Sequence, residues 1–387
     1  MSDELEERFD QQGREWRDPA QVVAQWSEAG ALDEHSLDVK ATGSWWSALA
    51  ATGVTLIVSR EYEHLLLAVS AVARPRISYL RIPHPSGIAF DAVGGRLYVA
   101  STRNPNQIVE LAPASGTIPR LDAPAPPKRP ARPLVPTRSW YLPGCSYVHD
   151  LAMIGARLHA NAVGQNVVVA LDDGAARPVW WPRSIERDGV PRTDRNYIQL
   201  NSIAAGADLG SSFFSASGDR PGRLRPGHLD YPVDGRGVIY SGATREPVVR
   251  GLTRPHSARL HDGRLWVDNS GYGELGVAAD GRFEPVAALP GWTRGLAFAG
   301  DIAFVGTSRV IPRFRRYAPG LEVDRSACGI HAVDTRTGKL LGALTFPSGN
   351  QIFAIEPVPA AWSGGFPFYR GADARSARSL FYSYRVG

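Results

Sequence analysis

The sequence predicts an all-β fold, a six-bladed β-propeller closed by strands from both ends of the chain. Three observations carry this: one phrase recurs six times in 387 residues, the shortest interval between copies holds four short strands, and unpaired strands remain at both ends. The phrase is a polar residue, an apolar run, a Gly turn, a second apolar run, then Ser, Thr or Asn. It is plainest at residues 255–275, PHSARLHDGRLWVDNSGYGEL, and recurs at 84–102, 148–162, 200–217, 292–308 and, more weakly, 348–358.

Each copy suits a hairpin, since alternating or apolar runs on both sides of a Gly-containing turn fit a pleated ladder. The opening polar residues are Ser86, His149, Asn201, His256, Thr293 and Asn350. Between His256 and Thr293 the chain holds just four strands, SARLH, RLWVDN, GELGVAA and FEPVAAL, which is one propeller blade. Longer intervals then contain insertions between strands. The last opening supplies an inner strand at 351–356, and VTLIVS, HLLLAVS and ISYLRI (54–59, 64–70, 77–82) wait near the other end. Joined, they complete a blade and leave no open sheet edge.

One domain is expected at 41–359, with an N-terminal helical cap at 1–40 and a C-terminal extension at 360–387. The helical stretch is 3–29, where Leu5, Phe9, Trp16, Val22, Val23 and Trp26 are spaced among charges. Its 40 Gly and 30 Pro serve turns, and a 43% hydrophobic content fills a core. The pairs Trp45/Trp46 and Trp180/Trp181 read as core or interblade packing.

Composition narrows function. No segment has the length of a membrane span, and the acidic start MSDELEE is unlike a signal peptide, so a cytoplasmic protein is expected. Cys145 and Cys328 are too few for a disulfide framework and lie in no CxxC pair. The net charge of +5 is scattered, with local clusters at 128–138 and 309–316 that read as an extended Pro-rich loop and a solvated loop. Nucleic-acid binding, which needs a basic face interleaved with stacking aromatics, is not expected. There is no GxSxG, HExxH, phosphate loop or dinucleotide fingerprint, so no nucleotide cofactor is expected either.

The first strand of each propeller blade lines the channel, so the openings emerge at one mouth, and antiparallel second strands return there. The richest arc is His149, Asp150, Asn201 and His256. Neutral imidazoles act as general acid or base near neutral pH, and His149, His256 and Asn201 together offer ligands for one divalent metal ion. Asp150 joins them as a catalytic candidate. Arg294 can hold an anion through its planar fork, and Tyr272, Glu274, Gln351, Asn161 and Asn269 are candidate substrate contacts. The competing reading is that His149 and His256 each cap a strand by hydrogen bonding the next blade's backbone.

Three stretches, RPHSARLHDGRLWVDNSGYGELG (254–276), LPGWTRGLAFAGDIAFVGTSR (289–309) and CGIHAVDTRTGKLLGALTF (328–346), resemble a bacterial family of unknown function, the DUF4915 type. YLPGCSYVHDLA and QLNSIA upstream are similar to that family's YLP…HE and HLNGLA stretches, and the likeness covers roughly 43–359. It implies a six-bladed propeller and no assured activity. The chain departs from the family pattern at Asp150, where Glu is expected, at NAVGQ (161–165) in place of NTRFS, and at NQIFAI (350–355) in place of QEIFDV.

Two function classes follow. One is an enzyme of hydrolase, lyase or isomerase type acting on a small polar substrate at the channel mouth, similar at fold level alone to gluconolactonases and strictosidine synthases. The other is a noncatalytic propeller that binds a ligand, a protein partner or a second copy of itself.

Overall fold

The structure, a computed structural model, describes residues 33–103, 106–122, 132–172, 175–370 and 384–386. The helical stretch expected at 3–29 lies outside the described residues. Six antiparallel sheets are arranged as blades, each beginning with a strand at the channel. The fourth blade is the plainest: Pro255–His261, Arg264–Asn269, Glu274–Ala279 and Arg282–Ala288 pair in sequence order.

The ring closes as the leftover strands predict. Ala354–Pro359 pairs with Val54–Arg60 from Val54 opposite Pro359 to Ser59 opposite Ala354, and Leu65–Ser70 and Arg76–Arg81 follow outward. The inner strand starts three residues later than the expected 351, because Asn350 to Phe353 cross the mouth first. The Phe353 N–H then donates to Ser59 O (2.8 Å) as the ladder begins.

Both chain ends add more than the repeat shows. Lys40–Gly43 joins the edge of the fifth blade beside Leu340–Thr345, and Phe368–Tyr369 joins the edge of the sixth beside Arg76–Arg81. A short α-helix, Trp45–Thr52, was not expected; it stops at Gly53, which takes the left-handed conformation (φ 68°) that favours glycine. Its Trp45 is fully buried against Phe304, which bears out the packing role read from the sequence. The 128–138 cluster is partly strand, since Leu134–Leu142 is the outer strand of the first blade.

Leu65–Ser70 is buried at every position, because neighbouring blades cover both faces of its sheet. Leu56, Val58, Leu67 and Val69 pack with Phe304, Ile330 and Leu344 across the joint between the sixth and fifth blades. Each such side chain contributes about 1.5–3 kcal/mol on burial.

Near the axis the joints are polar. Ser59 Oγ donates to Ser86 O (2.6 Å), Ser86 Oγ to Val148 O (2.8 Å), and Asn161 Nδ2 to Leu200 O (3.0 Å). Asn201 Nδ2 donates to Pro255 O (2.8 Å), Ser270 Oγ to Thr293 O (2.6 Å), and Ser308 Oγ to Ile352 O (3.1 Å). Every joint is thus bridged at or just before the start of the next blade's inner strand. Ser86 and Asn201 thus bond the next blade's backbone, and these bonds align the mouth residues around the axis.

Among the described residues no helix is long and apolar enough to cross a membrane.

Candidate functional site

The inner strands open on β-bulges, between Val148 and Leu151, Leu200 and Ser202, His256 and Arg259, and Thr293 and Leu296. Val148, Pro255 and Thr293 hold the same register position, opposite Ala162, Asn269 and Thr307. The next residue in each strand is His149, His256 and Arg294. The fifth opening is therefore Arg294 rather than Thr293, which is fully buried in the ladder. In the sixth blade the matching place belongs to Phe353, because Ile352 O receives the interblade bond that Val148 and Thr293 receive elsewhere.

Above these residues lies a cavity of about 210 Å³. His149, His256 and Arg294 contribute to it from the inner strands, and Gln351 from the crossing segment. Trp292, Phe314 and Tyr317 give it an aromatic side, while Arg225, Arg254 and Arg309 extend its basic lining. No Asp or Glu is among the described residues that line it. Two insertions supply the upper wall: one between Phe213–Ala216 and Gly237–Ser241, the other between Ile302–Ser308 and Gly329–Asp334. They meet where Tyr317 Oη donates to Gly227 O (3.3 Å). The 309–316 cluster is thus partly cavity wall: Arg309 and Phe314 face the cavity, while Arg315 and Arg316 are exposed.

Arg294 is the least committed cation in the cavity. Its guanidinium carbon lies 3.2 Å from the centroid of the Phe353 ring, and no carboxylate pairs with it among the described residues. Burial pulls its pKa down to about 10, against the attraction of Glu61, Tyr62 and Asp150, so it stays charged at neutral pH. Arg254, by contrast, is tied to its surroundings. It donates to Gln199 Oε1 (2.6 Å) and to Pro226 O, and stacks over Tyr317 at 4.0 Å, although its buried Nε has no partner among the described residues. Burial likewise lowers its pKa to about 10.

Both histidines are neutral. Burial, then the Arg294 and Arg254 charges, hold the His149 imidazole well below its usual range, while Asn201 pulls it the other way. Burial, Arg294 and His149 do the same to His256. The His256 tautomer follows from its neighbours: Nδ1 lies 2.8 Å from Arg254 O, a carbonyl that accepts only, so Nδ1 carries the proton. The Nε2 lone pair is left as a base. His149 Nδ1 is buried with no hydrogen-bond partner among the described residues.

Below the cavity the channel narrows to a chamber of about 10 Å³, bordered again by His149, His256 and Arg294 and also by Asp150, Asn201 and Arg259. Asp150 is fully engaged there. Its Oδ2 accepts from Arg259 (2.8 Å) and from Ile203 N (2.9 Å), and its Oδ1 accepts from Arg259 (3.1 Å) and from Leu151 N (3.1 Å).

The other expected contacts lie away from the cavity. Asn161 is fully buried and holds His149 N (3.0 Å) and Asp150 N (2.5 Å), so it shapes the bulge. Asn269 receives Thr253 N (2.7 Å) and donates to Glu274 (2.8 Å), and Tyr272 donates to Asp234 (3.0 Å) on the exposed rim. A divalent metal fits the arc poorly. Among the described residues no three His, Cys, Asp or Glu side chains converge, and His149, His256 and Asn201 face a guanidinium in place of an anionic ligand. Arg254, Trp292, Phe314 and Tyr317 were missed, the last two because they belong to an insertion without repeat equivalents. For Arg254 the signal was its place two residues before His256.

Several solved structures share the architecture. A chain of a nidogen/laminin complex matches with a TM-score of 0.51 at 11% identity, over 79% of this chain and 98% of that one. A gluconolactonase from Xanthomonas campestris matches with a TM-score of 0.44 at 14% identity, over 76% and 86%. A luciferin-regenerating enzyme gives 0.45 at 13%, over 70% and 78%. Identity this low speaks to the propeller fold alone. No curated protein matches the chain. The family model described as a domain of unknown function, DUF4915, matches residues 43–363, so the chain belongs to that family.

Proposed function

We propose that this protein is an enzyme that binds a small anionic organic molecule in the mouth cavity and acts on it by acid/base chemistry of His256 and His149. The observation that carries the reading is Arg294, a charged guanidinium that, among the described residues, has no carboxylate partner and stands beside two neutral imidazoles in a cavity lined by no acidic residue. A carboxylate satisfies the guanidinium through two parallel hydrogen bonds. Trp292, Phe314 and Tyr317 would cover an apolar or planar body, and the buried Gln351 Oε1, which has no partner among the described residues, favours a ligand with a hydroxyl or amino donor.

In this reading His256 Nε2 is the base, because its tautomer is fixed by Arg254 O. Asp150 and Asn161 are positioning residues that hold the His149 bulge. No step is assigned to a metal. The test is a thermal-shift panel of acetate and benzoate beside acetamide and benzamide. The reading predicts that the acids raise the Tm and the amides do not, and that Arg294→Gln abolishes the difference. Equal shifts from acids and amides would reject it. A site that binds benzoate yet turns over no ester, lactone or amide in a substrate screen would instead be a noncatalytic binding propeller.

A further inference from the structure

We propose that the chamber beneath the cavity is a binding site for one water molecule, and that this water is the nucleophile of a hydrolytic reaction on a carboxylic ester or lactone. The inference rests on the proposed function: the carboxylate that Arg294 holds there is here the product of the reaction, formed from an ester or lactone carbonyl seated at the same guanidinium. At about 10 Å³ the chamber matches a single water, which needs two to four polar partners. Two buried groups without a hydrogen-bond partner of good geometry among the described residues border it, Asn201 Oδ1 and His149 Nδ1, with Asn201 near enough to the His149 ring to favour its protonated form. The orientation of the Asn201 amide is fixed, because Nδ2 donates to Pro255 O (2.8 Å) and to Ser217 Oγ (2.9 Å). Its oxygen is therefore the acceptor, and no donor among the described residues meets it at good hydrogen-bond geometry.

His149, His256 and Arg294 border both spaces, so a water held below them stands next to a ligand held above. One water proton is donated to Asn201 Oδ1 and the other to His256 Nε2. In the reaction His256 Nε2 takes that proton as the water oxygen bonds to the carbonyl carbon. Arg294 faces the negative charge that develops on the carbonyl oxygen. The C–O bond to the leaving group then breaks, and the leaving oxygen takes the proton back from His256, giving an alcohol and a carboxylic acid. The acid ionises and remains as a carboxylate on Arg294 until release.

The test is a pair of high-resolution crystal structures, one of the protein alone and one with acetate as product mimic. The first is expected to show one ordered water roughly 2.7–3.2 Å from Asn201 Oδ1. The second is expected to place that water within about 3.5 Å of the acetate carboxyl carbon. A chamber with no water density overturns the inference and leaves the Arg294 reading standing. So does a water more than about 4.5 Å from the carboxyl carbon, beyond near-attack range. Acetate bound away from Arg294 would overturn the proposed function itself, and with it the assignment of the water as nucleophile.

Discussion

Arg259 of the fourth blade reaches across the channel to Asp150 of the second, with Nη1 2.8 Å from Oδ2 and Nη2 3.1 Å from Oδ1. Asp150 also accepts the Ile203 N–H of the third blade, so one carboxylate ties three blades together at the axis. Burial works against the Arg259 charge, but Asp150, with Glu356 and Asp268, more than offsets it, so Arg259 keeps its proton more firmly than a free arginine. Asp150→Asn should therefore destabilise the protein by about 3–5 kcal/mol in urea unfolding, the usual cost of stranding a buried charge. Arg259→Met combined with Asp150→Asn should recover much of that loss. Equal loss in both variants would mean that the carboxylate acts through Ile203 and the bulge instead of through the ion pair.

The two histidines differ in structural weight. His256 holds Arg254 O and lies 3.1 Å from Ser270 Oγ, so His256→Ala should cost about 1 kcal/mol of stability. His149→Ala removes a ring whose Nδ1 has no hydrogen-bond partner among the described residues, and should cost less than that. Both variants should lose turnover of any substrate found in an ester, lactone and amide screen. Global unfolding of either, seen by circular dichroism, would return both residues to a structural role.

Stability should fall on acidification from pH 7 to pH 5. His64 and His331 are pushed down to about 4 by burial, and burial also holds His84, His149 and His256 well below 6.5. Each is neutral when folded and takes a proton when unfolded once the pH drops under about 6.5, so its contribution is complete above that pH and is lost below it. Glu356, raised to about 7, and Asp268, raised by burial, have the opposite sign, because the folded protein keeps protons that the unfolded chain gives up. With His159, which burial also lowers, six imidazoles against two carboxyls leave a net loss in acid. A Tm that is flat or rising from pH 7 to pH 5 contradicts the buried, neutral imidazoles.

Ligand binding should draw in protons. After burial, Arg294 is the largest influence holding both His149 and His256 down, and an anion seated on it cancels part of that charge. Their affinity for protons then rises, so benzoate should bind more tightly at pH 5.5 than at pH 7.5. Calorimetry in buffers of different ionisation enthalpy should show proton uptake at pH 5.5. Release of protons would place the anion away from the imidazoles.

The propeller was legible because its repeat is local: apolar runs, Gly turns and polar openings fall within each hairpin, and the strands 54–59 and 64–70 carry unbroken apolar runs. His149, His256 and Gln351 were legible as mouth residues for the same reason. The exact opening of the fifth and sixth blades was not: in the fifth a β-bulge follows Thr293 and the opening falls one place later, at Arg294, and in the sixth the chain crosses the mouth first, so that the position falls to Phe353 in place of Asn350. Asp150 looked catalytic since its partner Arg259 is 109 residues away and on another blade. Phe314 and Tyr317 sit in an insertion, where no period announces which side chains turn inward.

The central claim is that Arg294 holds an anion beside the two imidazoles, and titration calorimetry with benzoate tests it most directly. Arg294→Gln should weaken benzoate binding roughly 10- to 100-fold, the value of a charge-assisted pair, while Arg294→Lys keeps part of the affinity. Unchanged benzoate affinity in a folded Arg294→Gln protein would contradict the account.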